Sequence, residues 1–407
     1  MFVCFIAALA SGSTTDESVA CTDKKCGYLG MGYNIIKGDP LQEPDPGWTH
    51  PIFEKEWINN AAAGGGSLHY SQNCNYASEV SSIDGVKSAQ ANLKKTTSIE
   101  ASAGGWGANI AFTGSVSVES MTKTLETESQ HIEEARATCQ LFYAQLPPPG
   151  GGTPVFRKDF EAHVRDLPAA KDDDKLTTFM NIYGTHYTTG VTMGGMMVRR
   201  WTMKASTFST LQKDCEKKGL SVEAGFDGVF SASIGASHDK HSEATEEVSK
   251  AMSSMSESTF WLGGTPFDND AKKWADGLQN SYVPVAGTQN VLTPITELLT
   301  EANFPGLDAR VKETAEQFAR RLCTPGGPNL GFDKCTTNPT DPEDLCHCVP
   351  SGMKPDKGMI KCTRSDDYDH RYCSPWQKCD TSTPEKTFKY GDWSICFETK
   401  SENKQDL

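Results

Sequence analysis

Two stretches of this chain alternate apolar and polar residues well beyond the roughly five or six residues of a common strand, and no other feature of the sequence restricts the fold as tightly. In the first, Trp106, Ala108, Ile110, Phe112, Gly114, Val116 and Val118 share one parity, and Gly107, Asn109, Ala111, Thr113, Ser115, Ser117 and Glu119 the other. In the second, Leu220, Val222, Ala224, Phe226, Gly228, Phe230, Ala232, Ile234 and Ala236 alternate with Ser221, Glu223, Gly225, Asp227, Val229, Ser231, Ser233, Gly235 and Ser237. Successive side chains of a strand point to opposite sides, so each stretch can present one apolar and one polar surface. A tilted transmembrane strand needs about 9–11 residues, and an apolar-out, polar-in strand is what the wall of a water-filled barrel requires. A half-buried strand of a soluble sheet answers to the same pattern, although the wealth of Gly, Ala and Ser suits segments that must refold. The lipid-facing candidates are Trp106, Ile110, Phe112, Val116, Val118, Val222, Phe226, Phe230 and Ile234. The opposite face carries Glu119, Glu223 and Asp227 and no Lys or Arg, so these acids are the candidates for the interior of a pore.

Each alternating run is followed by a polar, helix-friendly stretch, residues 121–137 and 239–257. In the latter, Ala244, Val248, Ala251, Met252 and Met255 fall on one helical face. As return strands these stretches are poor in apolar residues, which counts against membrane insertion. Turns are marked by Gly38-Asp39-Pro40 and Pro44-Asp45-Pro46-Gly47, and a Pro/Gly linker occupies 146–152. Helical spacing recurs at Phe156, Phe160, Val164 and Leu167, then at Leu176, Phe179 and Met180, and an amphipathic helix is predicted beyond Val291, ending near Leu322.

A formal net charge of −14 over 407 residues excludes the basic face that nucleic-acid binding needs and a polybasic membrane patch. Fourteen cysteines, eight of them between Cys323 and Cys396, imply disulfides formed in an oxidising compartment. The apolar start, Met1 to Ala10, reads as part of a signal peptide, with cleavage after Ala20 favoured by Ser18-Val19-Ala20. No later stretch reaches the roughly 18–20 apolar residues of a membrane-spanning helix, so a secreted, soluble form is expected. No Gly-x-Ser-x-Gly elbow, His-Glu-x-x-His or cysteine-protease signature occurs, so no enzymatic activity and no cofactor or metal are expected.

Tyr183-Gly184-Thr185-His186-Tyr187 is followed, after six residues, by Gly194-Gly195. This pattern resembles the signature of the membrane-attack-complex/perforin (MACPF) family. The resemblance extends over about residues 27–322, through Gly32-Tyr33-Asn34, Asp45-Pro46-Gly47, Cys139 to Tyr143 and Trp261-Leu262-Gly263-Gly264. It implies an α+β fold in which a bent, twisted four-stranded antiparallel sheet is flanked by two helical clusters that unfurl into transmembrane hairpins. The alternating runs fall at those two places, 96–137 and 218–257. The implied protein is a soluble monomer that meets a target lipid membrane, assembles there as a homo-oligomeric ring or arc, and forms a pore. A non-lytic relative acting in adhesion or signalling is the alternative. The motif itself reads as structural: Tyr183 to Tyr187 would end a helix and begin a strand, with Gly184 taking the unusual backbone angles. His186 reads as a buried, hydrogen-bonded residue, since no second His stands at ligand spacing.

The expected division is a signal peptide (1–20), the MACPF domain (21–322), a small disulfide-rich C-terminal domain (323–400) and a tail (401–407). The sequential sheet of the family implies that Cys139 pairs with Cys215, leaving one of Cys21, Cys26 and Cys74 without a partner. Within the C-terminal domain Cys323, Cys335, Cys346, Cys348, Cys362, Cys373, Cys379 and Cys396 are the disulfide candidates. Their spacings do not match the usual paired zinc ligands.

Overall fold

A computed structural model describes residues 19–322 apart from 22–24, 43, 61–64, 98–106, 108–109, 148–151, 236–241, 265–270 and 286–289; beyond 322 it describes residues 327, 328 and 330 and five short strands. Three long strands dominate: β4 (Ser67–Ile83), β5 (Gln130–Gln145) and β6 (His186–Lys204). They run antiparallel in that order, and β7 (Ser256–Leu262) adds a fourth by pairing Met196 to Thr202 of β6 with Leu262 to Ser256. Shorter strands complete the same sheet: β1 (Val19–Ala20) lies on β4, while β2 (Met31–Tyr33), β8 (Val283–Pro284) and β9 (Val291–Pro294) lie on the first half of β6, and β3 (Trp48–Pro51) on β2. Most of the expected signal segment lies outside the described residues, but Val19 and Ala20 are part of this sheet, paired with Leu68 and Ser67.

Helices fill the connections. In chain order they are α1 (Lys55–Ile58), α2 (Val86–Thr97), α3 (Val116–Glu128), α4 (Lys158–Arg165), α5 (Asp173–Tyr183), α6 (Ala205–Lys217), α7 (Val222–Ser233), α8 (Glu243–Ala251), α9 (Ala271–Gly277) and α10 (Arg310–Arg321). The apolar spacing read from the sequence is buried as expected: Phe160 and Val164 on α4, and Leu176, Phe179, Met180 and Tyr183 on α5. Beyond Val291 the chain first adds β9 and a 3-10 turn; the amphipathic helix is α10, capped at Leu322.

The Tyr-Gly-Thr-His-Tyr motif is the hinge between α5 and β6. Gly184 ends the helix at φ +82°, and a Cβ there would come within 2.5 Å of the Tyr33 backbone, so no other residue fits both the angle and the space. At Gly194 a Cβ would meet the Cys139 carbonyl at 1.9 Å, which is why β5 and β6 can cross closely at that point. Gly195 faces Leu278 and Trp274, and His186 is fully buried with its Nδ1 at 2.9 Å from the Thr185 hydroxyl.

The disulfides correct the expected pairing of Cys139 with Cys215. Cys74 bonds Cys139, because the β4–β5 register sets them directly across from each other, and Cys21 bonds Cys26. Cys215 sits in the last turn of α6, well past the end of β6, where it is buried as a free thiol. In the C-terminal region, β10 (Lys334–Thr336) pairs with β11 (His347–Val349), placing Cys335 opposite Cys348. There β14 (Trp393–Phe397), which carries Cys396, pairs with β12 (Met359–Thr363), which carries Cys362, and with β13 (Thr387–Tyr390). Cys323, Cys346, Cys373 and Cys379 lie outside the described residues.

Candidate functional site

The described residues of both alternating runs are helical or turn-forming in this structure, not strands, and most of their large apolar side chains are inside. Of the first run, Ile110 and Phe112 occupy a buried turn, and α3 begins at Val116. Trp106 lies outside the described residues. On α3, Val118, Met121 and Leu125 recur at helical spacing and are buried, while Val116 is 42% exposed. Ser115 caps the helix, its hydroxyl accepting from the Val118 N–H at 3.3 Å.

A loop following β2 grips the second half of this run. The Phe112 N–H donates to the Ile35 carbonyl at 2.7 Å and the Gly114 N–H to that of Ile36 at 3.0 Å. Asp39 adds a buried carboxylate, whose Oδ2 accepts from the Ser115 hydroxyl at 3.0 Å and the Ser117 N–H at 2.8 Å. The grip is tied to the motif, because the Thr185 hydroxyl accepts from the Ile35 N–H at 3.1 Å and donates to the Tyr33 carbonyl at 3.3 Å. Thr185, Ile35 and Phe112 thus form one hydrogen-bonded chain from the motif to the first run. Phe112 itself is held at φ +62°, a conformation that costs a non-glycine residue about 1–3 kcal/mol and is relieved if the segment extends.

The second run becomes α7, whose N-terminus is capped by the Ser221 hydroxyl. Val222, Phe226, Phe230 and Ile234 are all buried, in one cluster with Ala135 and Ala137 of β5 and with Met197, Trp201 and Met203 of β6. Phe226 packs on Trp201 with ring centroids 5.0 Å apart. Their four-residue spacing explains how one sequence serves two structures. Four residues advance a helix by one turn plus about 40°, so the side chains stay on one stripe; they advance a strand by two full repeats, so the same side chains stay on one face. Between them, Ala224 and Ala232 are small and solvent-exposed on the helix.

The two clusters dock on opposite faces of the sheet, as the alternation of β5 dictates. Ala135 and Ala137 meet α7, whereas Glu134 faces α2. Glu134 is fully buried and accepts hydrogen bonds from Arg136 Nε at 2.6 Å, Arg200 Nε at 2.5 Å and Asn92 Nδ2 of α2 at 2.9 Å. Burial alone would raise its pKa, but the two guanidiniums outweigh this and hold the carboxyl down at about 2. A carboxyl depressed in the fold contributes stability that is complete above its unfolded pKa and is lost progressively below that value as pH falls through about 2. Acid above about pH 4.5 therefore does not loosen α2 through Glu134. Replacing it does: Glu134→Ala strands two largely buried arginines and is expected to cost about 3–5 kcal/mol, read by denaturant unfolding against the parent. Glu133, on the other face, accepts from the Ser82 hydroxyl and lies 2.7 Å from His131 Nε2, whose ring stacks on Phe208 of α6.

The boundaries of the two segments change accordingly. Residues 130–137 belong to β5 and residues 256–257 to β7, so neither is part of a helical cluster. Conversely α2, from Val86, lies in the first cluster ahead of residue 96. Among the interior candidates Glu119 and Glu223 are exposed, and Asp227 is half-buried. Sequence reading missed the Asp39 grip and the buried Glu134 network; a Gly-Asp-Pro turn and consecutive charges on a strand both look like surface features.

An antiparallel sheet dominated by three long strands and β7, interrupted by helical clusters on its two faces and hinged at a Tyr-Gly-Thr-His-Tyr turn, defines a class of protein. The model of the MAC/Perforin domain matches residues 22–326, and the chain belongs to that family. Among solved structures it resembles GNIP1Aa from Chromobacterium piscinae, at 16% identity and a TM-score of 0.53, over 73% of this chain and 55% of that one. It also resembles a putative cell invasion protein with a MAC/Perforin domain from Bacteroides thetaiotaomicron VPI-5482, at 14% identity and a TM-score of 0.46, over 76% of this chain and 63% of that one. The chain thus spans little more than half the length of the first of these, and the likeness speaks to the fold. No curated protein matches the chain.

Proposed function

We propose that this protein is secreted and makes pores, meeting a lipid membrane as a soluble monomer, assembling there into a ring or arc, and inserting strands from its two helical clusters. The observation that carries this is the double periodicity of Val222, Phe226, Phe230 and Ile234, buried on one helical stripe yet confined to one strand face. Burying such side chains is worth about 1.5–3 kcal/mol each, and lipid takes them out of water as the protein core does. The exchange therefore need not forfeit that gain. No helix among the described residues is long and apolar enough to cross a membrane, which leaves open a barrel of strands.

On insertion, Glu119, Glu223 and Asp227 turn toward the lumen, where repeated carboxylates favour cations. The C-terminal cysteine-rich region acts as an accessory module that selects the membrane or partner. No step requires a bound cofactor or a catalytic group. The test is dye release from liposomes by purified protein, with electron microscopy of the same mixture. Leakage with rings or arcs is the expected result. Membrane-bound protein without leakage would favour the non-lytic reading in adhesion or signalling.

A further inference from the structure

A second feature lies outside the insertion segments, where residues 40–42 and 44–48 face β6 and β9. It is a cavity of about 80 Å³ walled by Tyr28, Trp48, Pro44 and Pro284, with Val285 and Leu292 among its apolar lining. The Tyr28 and Trp48 rings stand 4.8 Å apart at 54°, forming an open corner, and Tyr33 meets Trp48 edge-on at 4.9 Å. Tyr28 and Trp48 are both partly exposed. Among the described lining residues a single charged group occurs, Asp45. Its carboxylate accepts from the Tyr33 hydroxyl at 2.9 Å, the Asp39 N–H at 2.7 Å and the Gly47 N–H at 2.8 Å. These donors fix its position without cancelling its charge.

We propose that this cavity binds a quaternary ammonium group, as in choline. A carboxylate selects a cation. Aromatic and proline walls offer few hydrogen-bond partners, so a strongly hydrated ion such as ammonium loses more on entering than trimethylammonium does. Aromatic faces attract such cations through their quadrupoles, and the net charge of −14 favours their approach. Ionisation of Asp45 makes the site sensitive to pH. Burial pushes its carboxyl up to about 6, the backbone donors at Asp39 and Gly47 opposing this, with the Asp39 carboxylate and Tyr33 as its titratable neighbours. A cation binds the ionised form, so affinity is full at neutral pH and falls as pH drops through about 6.

The experiment is saturation-transfer NMR and calorimetry on the full chain with choline and its neutral carbon isostere, 3,3-dimethylbutan-1-ol. Choline is expected to bind at least ten-fold more tightly than the isostere and than ammonium. Between pH 7.5 and pH 5 its affinity should fall about ten-fold, following the ionised fraction. Asp45→Asn should weaken choline by ten-fold or more while leaving the isostere unchanged. Equal affinities for choline and the isostere, or choline binding that ignores pH, overturn the proposal on the unmodified protein even if the variant does not fold. Free choline that displaces the protein from phosphatidylcholine vesicles, with phosphatidylglycerol vesicles unaffected, assigns a lipid headgroup as ligand. Choline binding without displacement assigns a soluble quaternary amine. Since binding is read with no pore present, failure here leaves the pore-forming reading untouched, and the reverse holds too.

Discussion

A chain carrying both Asp39→Cys and Ser115→Cys is expected to leave liposomes intact when oxidised and to release dye once reductant is added. The Ser115 hydroxyl donates to Asp39 Oδ2 at 3.0 Å, so the two side chains are in direct contact, and formation of the disulfide is checked by thiol titration before and after oxidation. The bond would fasten the first run to the loop that already grips it, so the run could no longer extend. Leakage should fall to that of vesicles alone. The reduced form lacks both hydrogen bonds that tie the Asp39 carboxylate to the first run, worth about 0.5–1.5 kcal/mol each, and should leak at least as readily as the parent. Among the described residues the one free thiol, Cys215, is buried on α6 and does not compete. Full leakage by the oxidised protein would mean that the first run stays docked throughout, and the refolding mechanism would fail.

Arginines at Ala224 and Ala232 are expected to abolish leakage while leaving the soluble protein as stable as before. Both alanines are exposed on α7, where such substitutions alter stability by about 0.5 kcal/mol or less. In an inserted strand their parity puts them on the lipid face, where an arginine near mid-bilayer costs about 2–4 kcal/mol. Glu223→Arg, also exposed but of opposite parity, faces the lumen and should leave leakage near that of the parent. Phe112 and Phe230 cannot serve this purpose, because both are fully buried in the soluble fold and a charge there would unfold it before any membrane is met. Dye release measured beside thermal melting separates the two effects. Equal leakage from arginines of both parities would refute the strand register.

Tyr183 to Tyr187 was legible because a motif that turns a helix into a strand leaves its glycine at the one position where angle and space forbid a side chain. The alternating runs were legible in part. Their parity describes a strand, but in the soluble protein the four-residue spacing within that parity governs, and α7 forms instead. Segment ends were misjudged for a related reason: residues 130–137 read as polar and helix-friendly, yet Glu133, Glu134 and Arg136 are buried on β5 because they satisfy one another and their neighbours across the sheet. Burial of paired charges leaves no trace in hydropathy. The Cys74–Cys139 bond depends on the register of β4, whose sequence, Ser-Leu-His-Tyr-Ser-Gln-Asn-Cys at its start, has too few apolar residues to announce a central strand. The grip of Asp39 on Ser115 and Ser117 joins residues far apart in the chain, and only the folded structure brings them together.

The central claim is that residues 222–234 change from helix to strand on a membrane. Single cysteines along this segment, each carrying an environment-sensitive fluorophore, test it most directly. In solution the probes should report burial with the helical spacing of Val222, Phe226 and Phe230. On liposomes that pattern is expected to give way to strict alternation, with even-numbered positions, including the formerly exposed 224 and 232, in lipid and odd-numbered ones in water. Persistence of the helical period on membranes under conditions where dye is released would contradict the account.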